Sequence, residues 1–248
     1  MRQELAAKAI SLLERHGFKV ASFLHTNSCF DLIAKSSGLT LLVKVFSNID
    51  TLRPEHAAEL KKLEKLFHAE ALIVGEKTKA FDLQRGVVYE RYDIPVLGLG
   101  SFADLLEEKT PYVHYYKGRS IVELDASTMR RKREEAGLSL TDLAERLDLA
   151  KESLHRFEGG ASTSLETAKK LEAFFRCPLI KHADFLQAED RAEIPEKELF
   201  SETFEDELLQ KVHDLGLKLA EFHRSPFDAF ALGSARPGES DLLIGRGR

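Results

Sequence analysis

Tryptophan is absent from this chain of 248 residues, and cysteine occurs only at Cys29 and Cys177. The two cysteines lie too far apart to form a metal-binding or redox spacing, so the expectation is a pair of reduced thiols in a cytoplasmic protein. No apolar run approaches the roughly 18 residues of a membrane span, and neither a secretory leader nor a lipidation motif is expected. No sign of charge dominates either: 36 Lys and Arg against 41 Asp and Glu leave −5, so bulk attraction to phosphate is weak. What the chain does have is 43% hydrophobic and 31% charged residues, enough at this length for two or three domains with real cores.

The most informative stretch is 128–160, TMRRKREEAGLSLTDLAERLDLAKESLHRFEGG. Its spacing predicts a helix over about 128–136, stopped at Gly137, which tolerates the left-handed cap position that other residues resist. Ser139 predicts the N-cap of a second helix, 140–147, with Asp142 as its capping-box acid. A turn at Asp148–Ala150 leads to a third helix, 151–157, ended by Gly159-Gly160. Leu140, Leu143, Ala144, Leu147, Leu154 and Phe157 fall where these helices face each other. Lys151, Glu152, Ser153, His155 and Arg156 fall outside, and they are the donors, acceptors and guanidinium fork that read base edges. From Ser127 to Gly160 seven basic residues balance seven acids, with Arg130 to Arg133 forming a local run. That run is either a phosphate-facing patch or a solvated helix face.

This segment resembles the Cro/XRE-type helix-turn-helix family. The pattern is carried by Arg133, Gly137-Leu138-Ser139, Leu143-Ala144, Leu154 and Glu158-Gly159-Gly160, and it extends through a fourth helix, about 164–175, closed by Cys177-Pro178. The resemblance implies DNA contacts from Arg130, Arg131, Ser139, Thr141, Lys151, Glu152, Ser153, His155 and Arg156, and a structural pair between Arg133 and Glu158. Leu140 departs from the Gln that many relatives place there, where it touches phosphate and base. A three-helix module for protein contacts is the competing use of the same spacing.

Residues 1–110 read as α/β. A helical stripe runs over 3–16 (Leu5, Ala9, Leu12, Leu13) and stops at Gly17. Strands are expected at 18–23, 30–34, 39–46, 70–74, 87–90 and 94–99, with helices over 55–67 and from a Ser101 N-cap to about Glu108. Alternating strands and helices imply a mixed sheet covered on its faces. This order resembles the PD-(D/E)XK nuclease fold, above all archaeal Holliday-junction resolvases, through Glu4, Asp31 and Lys44. The resemblance implies a divalent metal held by an Asp and by a second acid two residues before the Lys. Here that second position is Leu42, which cannot ligate a hard cation, so the expectation is a catalytic relic with no metal and no cofactor. Asp31 and Lys44 are expected either as an ion pair near the sheet edge or as a vestigial substrate-binding element.

Residues 112–124 predict a hairpin around Lys117-Gly118 that bridges to the helix-turn-helix. Its Tyr112, His114, Tyr115 and Tyr116 either pack the hairpin onto its neighbours or stack on bases. The run 16–34 then returns at 215–231 with a two-residue deletion: Gly17, Lys19, Ala21, Phe23, Phe30 and Asp31 match Gly216, Lys218, Ala220, Phe222, Phe227 and Asp228. A helix over 202–215 and a strand at 241–244 extend the match, so the tail predicts the opening of a second α/β copy. Standing alone, such a half-copy would leave an open strand edge and an open apolar face.

The order as a whole resembles helix-turn-helix transcriptional regulators of archaea, in which a complete second copy is implied. The expected fold class is therefore multidomain, α/β plus all-α. Its parts are a nuclease-like domain (1–110), a bridging hairpin (111–126), a Cro/XRE-type helix-turn-helix (127–183), a linker (184–200) and a partial second copy (201–248). The expected function is sequence-specific transcriptional regulation on double-stranded DNA, non-enzymatic, cytoplasmic and homodimeric, with no membrane partner and no effector named by the sequence. The alternatives are a metal-dependent structure-specific nuclease and a protein-contact, antitoxin-like module.

Overall fold

The first helix, α1 (Arg2–Arg15), buries Leu5, Ala6, Ala9 and Leu13 as one stripe. The chain then turns at Gly17, where a φ of 80° favours a residue without a Cβ. It continues through β1 (Lys19–Ser22), β2 (Leu32–Lys35), β3 (Thr40–Asn48), α2 (Pro54–Leu66), β4 (Glu70–Lys77), β5 (Val87–Arg91), β6 (Ile94–Gly98) and α3 (Leu99–Leu106). The computed structural model describes residues 2–109, 111–116, 118–182, 194–232 and 241–245.

Strands β1, β2 and β3 form an antiparallel meander, and β3, β4 and β6 run parallel at the centre. Helices cover both faces there, which is why β3 and β4 read as nearly continuous apolar runs. Leu41, Val43 and Val45 pack towards α1 and α3, and Leu42 packs into the core on the α2 side. Ser101 is not the N-cap that its sequence context predicts. Gly98 precedes the helix, and Ser101 is buried within α3, where its hydroxyl accepts from the Gly86 amide at 2.9 Å. Its side chain satisfies a neighbouring loop instead of its own helix.

The hairpin forms as β7 (Val113–Tyr116) and β8 (Arg119–Val122), and β7 pairs parallel with β5. Tyr115 packs against Phe81 and Tyr89, with ring centroids 5.2 and 5.3 Å away, so it serves as a packing residue. The Tyr116 side chain and Lys117 lie outside the described residues.

The helical bundle comprises α4 (Ala126–Glu135), α5 (Leu140–Leu147), α6 (Lys151–Glu158) and α7 (Leu165–Phe175). Helix α4 starts earlier than expected because Asp125 caps it, accepting from the Thr128 amide at 2.9 Å and from the hydroxyls of Ser127 and Thr128. The Ser127 hydroxyl leads these donors in holding the Asp125 carboxyl far below the usual range. Between α6 and α7 the short strand β9 (Thr163–Ser164) pairs with β8, so the sheet runs without a break from β1 to β9. The Asp125 amide donates to the Leu179 carbonyl at 2.7 Å, and the Lys181 amide to the Glu123 carbonyl at 2.9 Å. The bundle is therefore tied to the sheet on both sides.

Residues 184–193 of the expected linker lie outside the described residues, and Glu196–Leu199 forms a short helix, α8, that buries Leu199. The tail follows as α9 (Glu207–Asp214), shorter than the expected 202–215, then β10 (Lys218–Glu221), β11 (Ala229–Leu232) and β12 (Leu242–Ile244), a separate antiparallel sheet. Two backbone bonds that frame the repeat recur in the tail. Phe23 N donates to Asp31 O at 2.7 Å and Phe222 N to Asp228 O at 2.8 Å, while Asp31 N reaches Val43 O and Asp228 N reaches Ile244 O, both at 2.8 Å. Gly216 repeats Gly17, with a φ of 90°. The half-copy does not stand alone. Phe67, at the end of α2, packs against Phe227 and Phe230, and Glu59 of α2 accepts from the amides of His223 and Arg224 at 2.9 and 2.7 Å.

Candidate nucleic-acid interface

Ser139 and Asp142 close a full capping box at the start of α5: Asp142 N donates to Ser139 Oγ at 3.1 Å, and Ser139 N donates to Asp142 Oδ2 at 2.9 Å. The serine hydroxyl, first among these donors, holds the Asp142 carboxyl below its ordinary value. Asp148, left-handed at φ 53°, turns the chain into α6, and Leu143, Ala144, Leu154 and Phe157 are buried where the two helices cross. Leu140 is half-buried and packs with this core, so the position that departs from the family pattern is spent on packing.

Arg133 of α4 holds Glu158 at the end of α6 in a bidentate pair, Nε to Oε1 at 2.6 Å and Nη2 to Oε2 at 3.0 Å. The third guanidinium nitrogen, Nη1, donates to the Leu138 carbonyl at 2.8 Å. The side chains are 13% and 4% exposed, and the bond to Glu158 raises the Arg133 pKa still further. Arg130 joins the same carboxylate at 3.4 Å and donates to the Glu158 carbonyl at 3.3 Å. Arg131 and Lys132 both pair with Glu135. The basic run 130–133 is thus fully engaged within the protein, although the Arg130 and Arg131 side chains remain more than half exposed.

The outward face of α6 is different. Lys151, Glu152, His155 and Arg156 are exposed and Ser153 is half-exposed, and none makes a side-chain hydrogen bond or ion pair among the described residues. Thr141 is exposed beside Ser139 at the N-terminus of α5. The structure therefore brings Ser139, Thr141 and the α6 residues into one helix-turn-helix unit. Sequence reading missed Asp125, whose signal was an acid three residues before a threonine, and β9, whose two residues carry no periodicity.

The second constellation lies at the start of β2 and within β3. Asp31 is fully buried: its Oδ1 accepts from Arg2 Nη2 at 2.6 Å and from Lys44 Nζ at 3.1 Å, and its Oδ2 accepts from the Val45 amide at 2.8 Å. Lys44 Nζ also donates to the Ser28 carbonyl at 2.5 Å, and burial pushes its pKa down against the pull of Asp31. The pair lies on β2 and β3, one and two strands in from the β1 edge of the sheet. Glu4 does not join it; its carboxylate turns outward to Lys8 at 2.8 Å.

A divalent cation of the kind the nuclease resemblance implies does not fit these residues. One carboxylate is present, one of its oxygens is held by two cations, Leu42 is buried where a second acid would stand, and no group of three or more potential ligands exists among the described residues.

A PD-(D/E)XK superfamily domain model matches residues 2–111, and a helix-turn-helix model matches residues 129–181. A protein of Archaeoglobus fulgidus named "Putative HTH-type transcriptional regulatory protein" is 36% identical over 247 residues, spanning 99% of this chain and 78% of its own. Relatives named in the same way from Methanocaldococcus jannaschii and Pyrococcus horikoshii are 34% and 37% identical. They cover 93% and 98% of this chain and 73% and 77% of their own lengths. With a nuclease-like sheet joined to a four-helix bundle, and with this identity over nearly its whole length, the chain belongs to this archaeal family of helix-turn-helix (HTH)-type transcriptional regulatory proteins.

Proposed function

We propose that the protein is a sequence-specific regulator that reads double-stranded DNA with α6, and that its nuclease-like domain is catalytically silent. The observation that carries this reading is the polar, unpartnered outer face of α6, held rigid from behind by the buried Arg133–Glu158 pair. Lys151 and Glu152 open the helix, the end that normally enters the major groove first, and Arg156 supplies a guanidinium suited to guanine. Ser139, Thr141, Ser153 and His155 complete the contact set. Arg130 and Arg131, whose side chains are more than half exposed, join it at the phosphates, Arg131 by exchanging its weak surface pair with Glu135 for a stronger one.

The protein acts as a homodimer. The basic run is internally neutralised and the chain carries −5, so one reader neutralises few phosphates, and two half-sites gain affinity by avidity. The third helices of the pair then stand about 34 Å apart, or a multiple of that. The polar α6 face favours DNA over a protein-contact role, which would need an apolar surface. The Arg2 guanidinium on Asp31 disfavours the nuclease. Equilibrium binding to genomic fragments that the protein enriches tests the reading. Tight binding that survives excess unrelated duplex is expected; equal affinity for both duplexes overturns it.

A further inference from the structure

The repeat shows one surface twice, once covered and once open. In the tail, Ala220, Phe222 and Phe230 share a face, with Ala220 opposite Phe230 in the β10–β11 register, and all three are buried. What covers them is α2 and its end. Lys62 lies over the Phe222 ring at 5.1 Å and donates to the Glu221 carbonyl, Phe67 packs on Phe230, and Glu59 caps the amides of His223 and Arg224. The matching residues of the first copy are Ala21, Phe23 and Ile33, with Ala21 opposite Ile33 in the β1–β2 register. There Ala21 is exposed, and Phe23 and Ile33 are only half-buried. The equivalents of the two capped amides, Leu24 N and His25 N, donate to nothing among the described residues.

We propose that this patch on the first copy is a docking surface for an amphipathic helix of α2 chemistry. Such a helix carries a carboxylate that accepts from Leu24 N and His25 N, a cation three residues on that lies over Phe23, and an aromatic ring near its end against Ile33. The chain itself supplies the precedent, since the same residue types in the same register already take such a helix in the tail. Two adjacent free amides select a carboxylate by charge-assisted hydrogen bonding, and the apolar trio supplies the burial that holds the helix.

The test uses the full chain and, as probe, a labelled peptide of residues 53–68 held helical by a staple across Ala58 and Lys65, both exposed positions of α2. Micromolar binding is expected, with backbone amide shifts at Leu24 and His25. Replacing Glu59 in the peptide by Ala weakens binding by about tenfold or more, as loss of a charged hydrogen-bond acceptor requires. Ala21→Glu in the protein, at an exposed strand position, abolishes it. Absence of binding, or binding that is indifferent to Ala21→Glu, overturns the proposal. So does an Ala21→Glu variant that binds no less peptide but changes the mass of the assembly, which would make the patch a face between copies of this chain.

Discussion

Arg133 and Glu158 carry the helix-turn-helix at the scale of single residues. Arg133→Ala leaves a carboxylate that is 4% exposed with only the weaker Arg130 contact. The expected cost is about 3 kcal/mol, the low end for breaking a buried pair, read from the midpoint of urea unfolding. Arg131→Ala, whose exposed pair with Glu135 lies within one helix, should cost less than about 0.5 kcal/mol by the same reading. Equal effects would contradict the distinction. Cys29 offers a second check, because burial pushes its thiol from 9.0 up to about 12. The folded protein then holds that proton more tightly than the unfolded chain does. Its contribution to stability is complete below pH 9.0 and is lost as the pH climbs towards about 12. Native protein at pH 8 should release one thiol equivalent to a disulfide reagent, from half-buried Cys177, and a second only on unfolding. Two fast equivalents would place Cys29 elsewhere. The Arg133–Glu158 spacing was legible because a known motif fixes it. Arg2 on Asp31 was not, because nothing in the sequence marks which distant cation will reach a buried carboxylate.

At the scale of elements, the helices and most strands follow from periodicity and turn chemistry: α1 from its apolar stripe, α5 from its capping box, and β3 and β4 from apolar runs. The joints between elements were not legible. Strand β9 is two residues long and shows no alternation, yet it carries the sheet into the reader; Ser101 has the chemistry of a cap and is used by a loop instead. The joint has a measurable consequence. The amides of Asp125 and Lys181, bonded to Leu179 and Glu123, should exchange with solvent as slowly as those of β7 and β8. Exchange as fast as that of an open linker would mean that the reader moves independently of the sheet.

At the scale of the whole molecule, a nuclease-like sheet is joined to a helix-turn-helix bundle whose basic and acidic residues balance from Ser127 to Gly160. With magnesium or manganese the protein should leave duplex, branched and single-stranded DNA uncut, and cleavage that disappears in Asp31→Ala would reinstate the enzyme. Light scattering should give twice the 27.9 kDa chain mass at micromolar concentration, and a clean monomer would remove the avidity argument. That a nuclease-like segment precedes a helix-turn-helix was legible from the two motifs, whereas the docking of the tail on α2 was not, since Glu59 lies on the solvent-side pattern of its helix. The most direct test is selection of bound duplexes from a random pool by the wild type and by Arg156→Ala. The wild type should enrich a two-fold motif with half-sites about 10 base pairs apart or a multiple of that. The variant should lose preference at one position per half-site and roughly 1–3 kcal/mol of affinity. A pool that stays random, or a motif and affinity untouched by the substitution, would contradict DNA reading by α6.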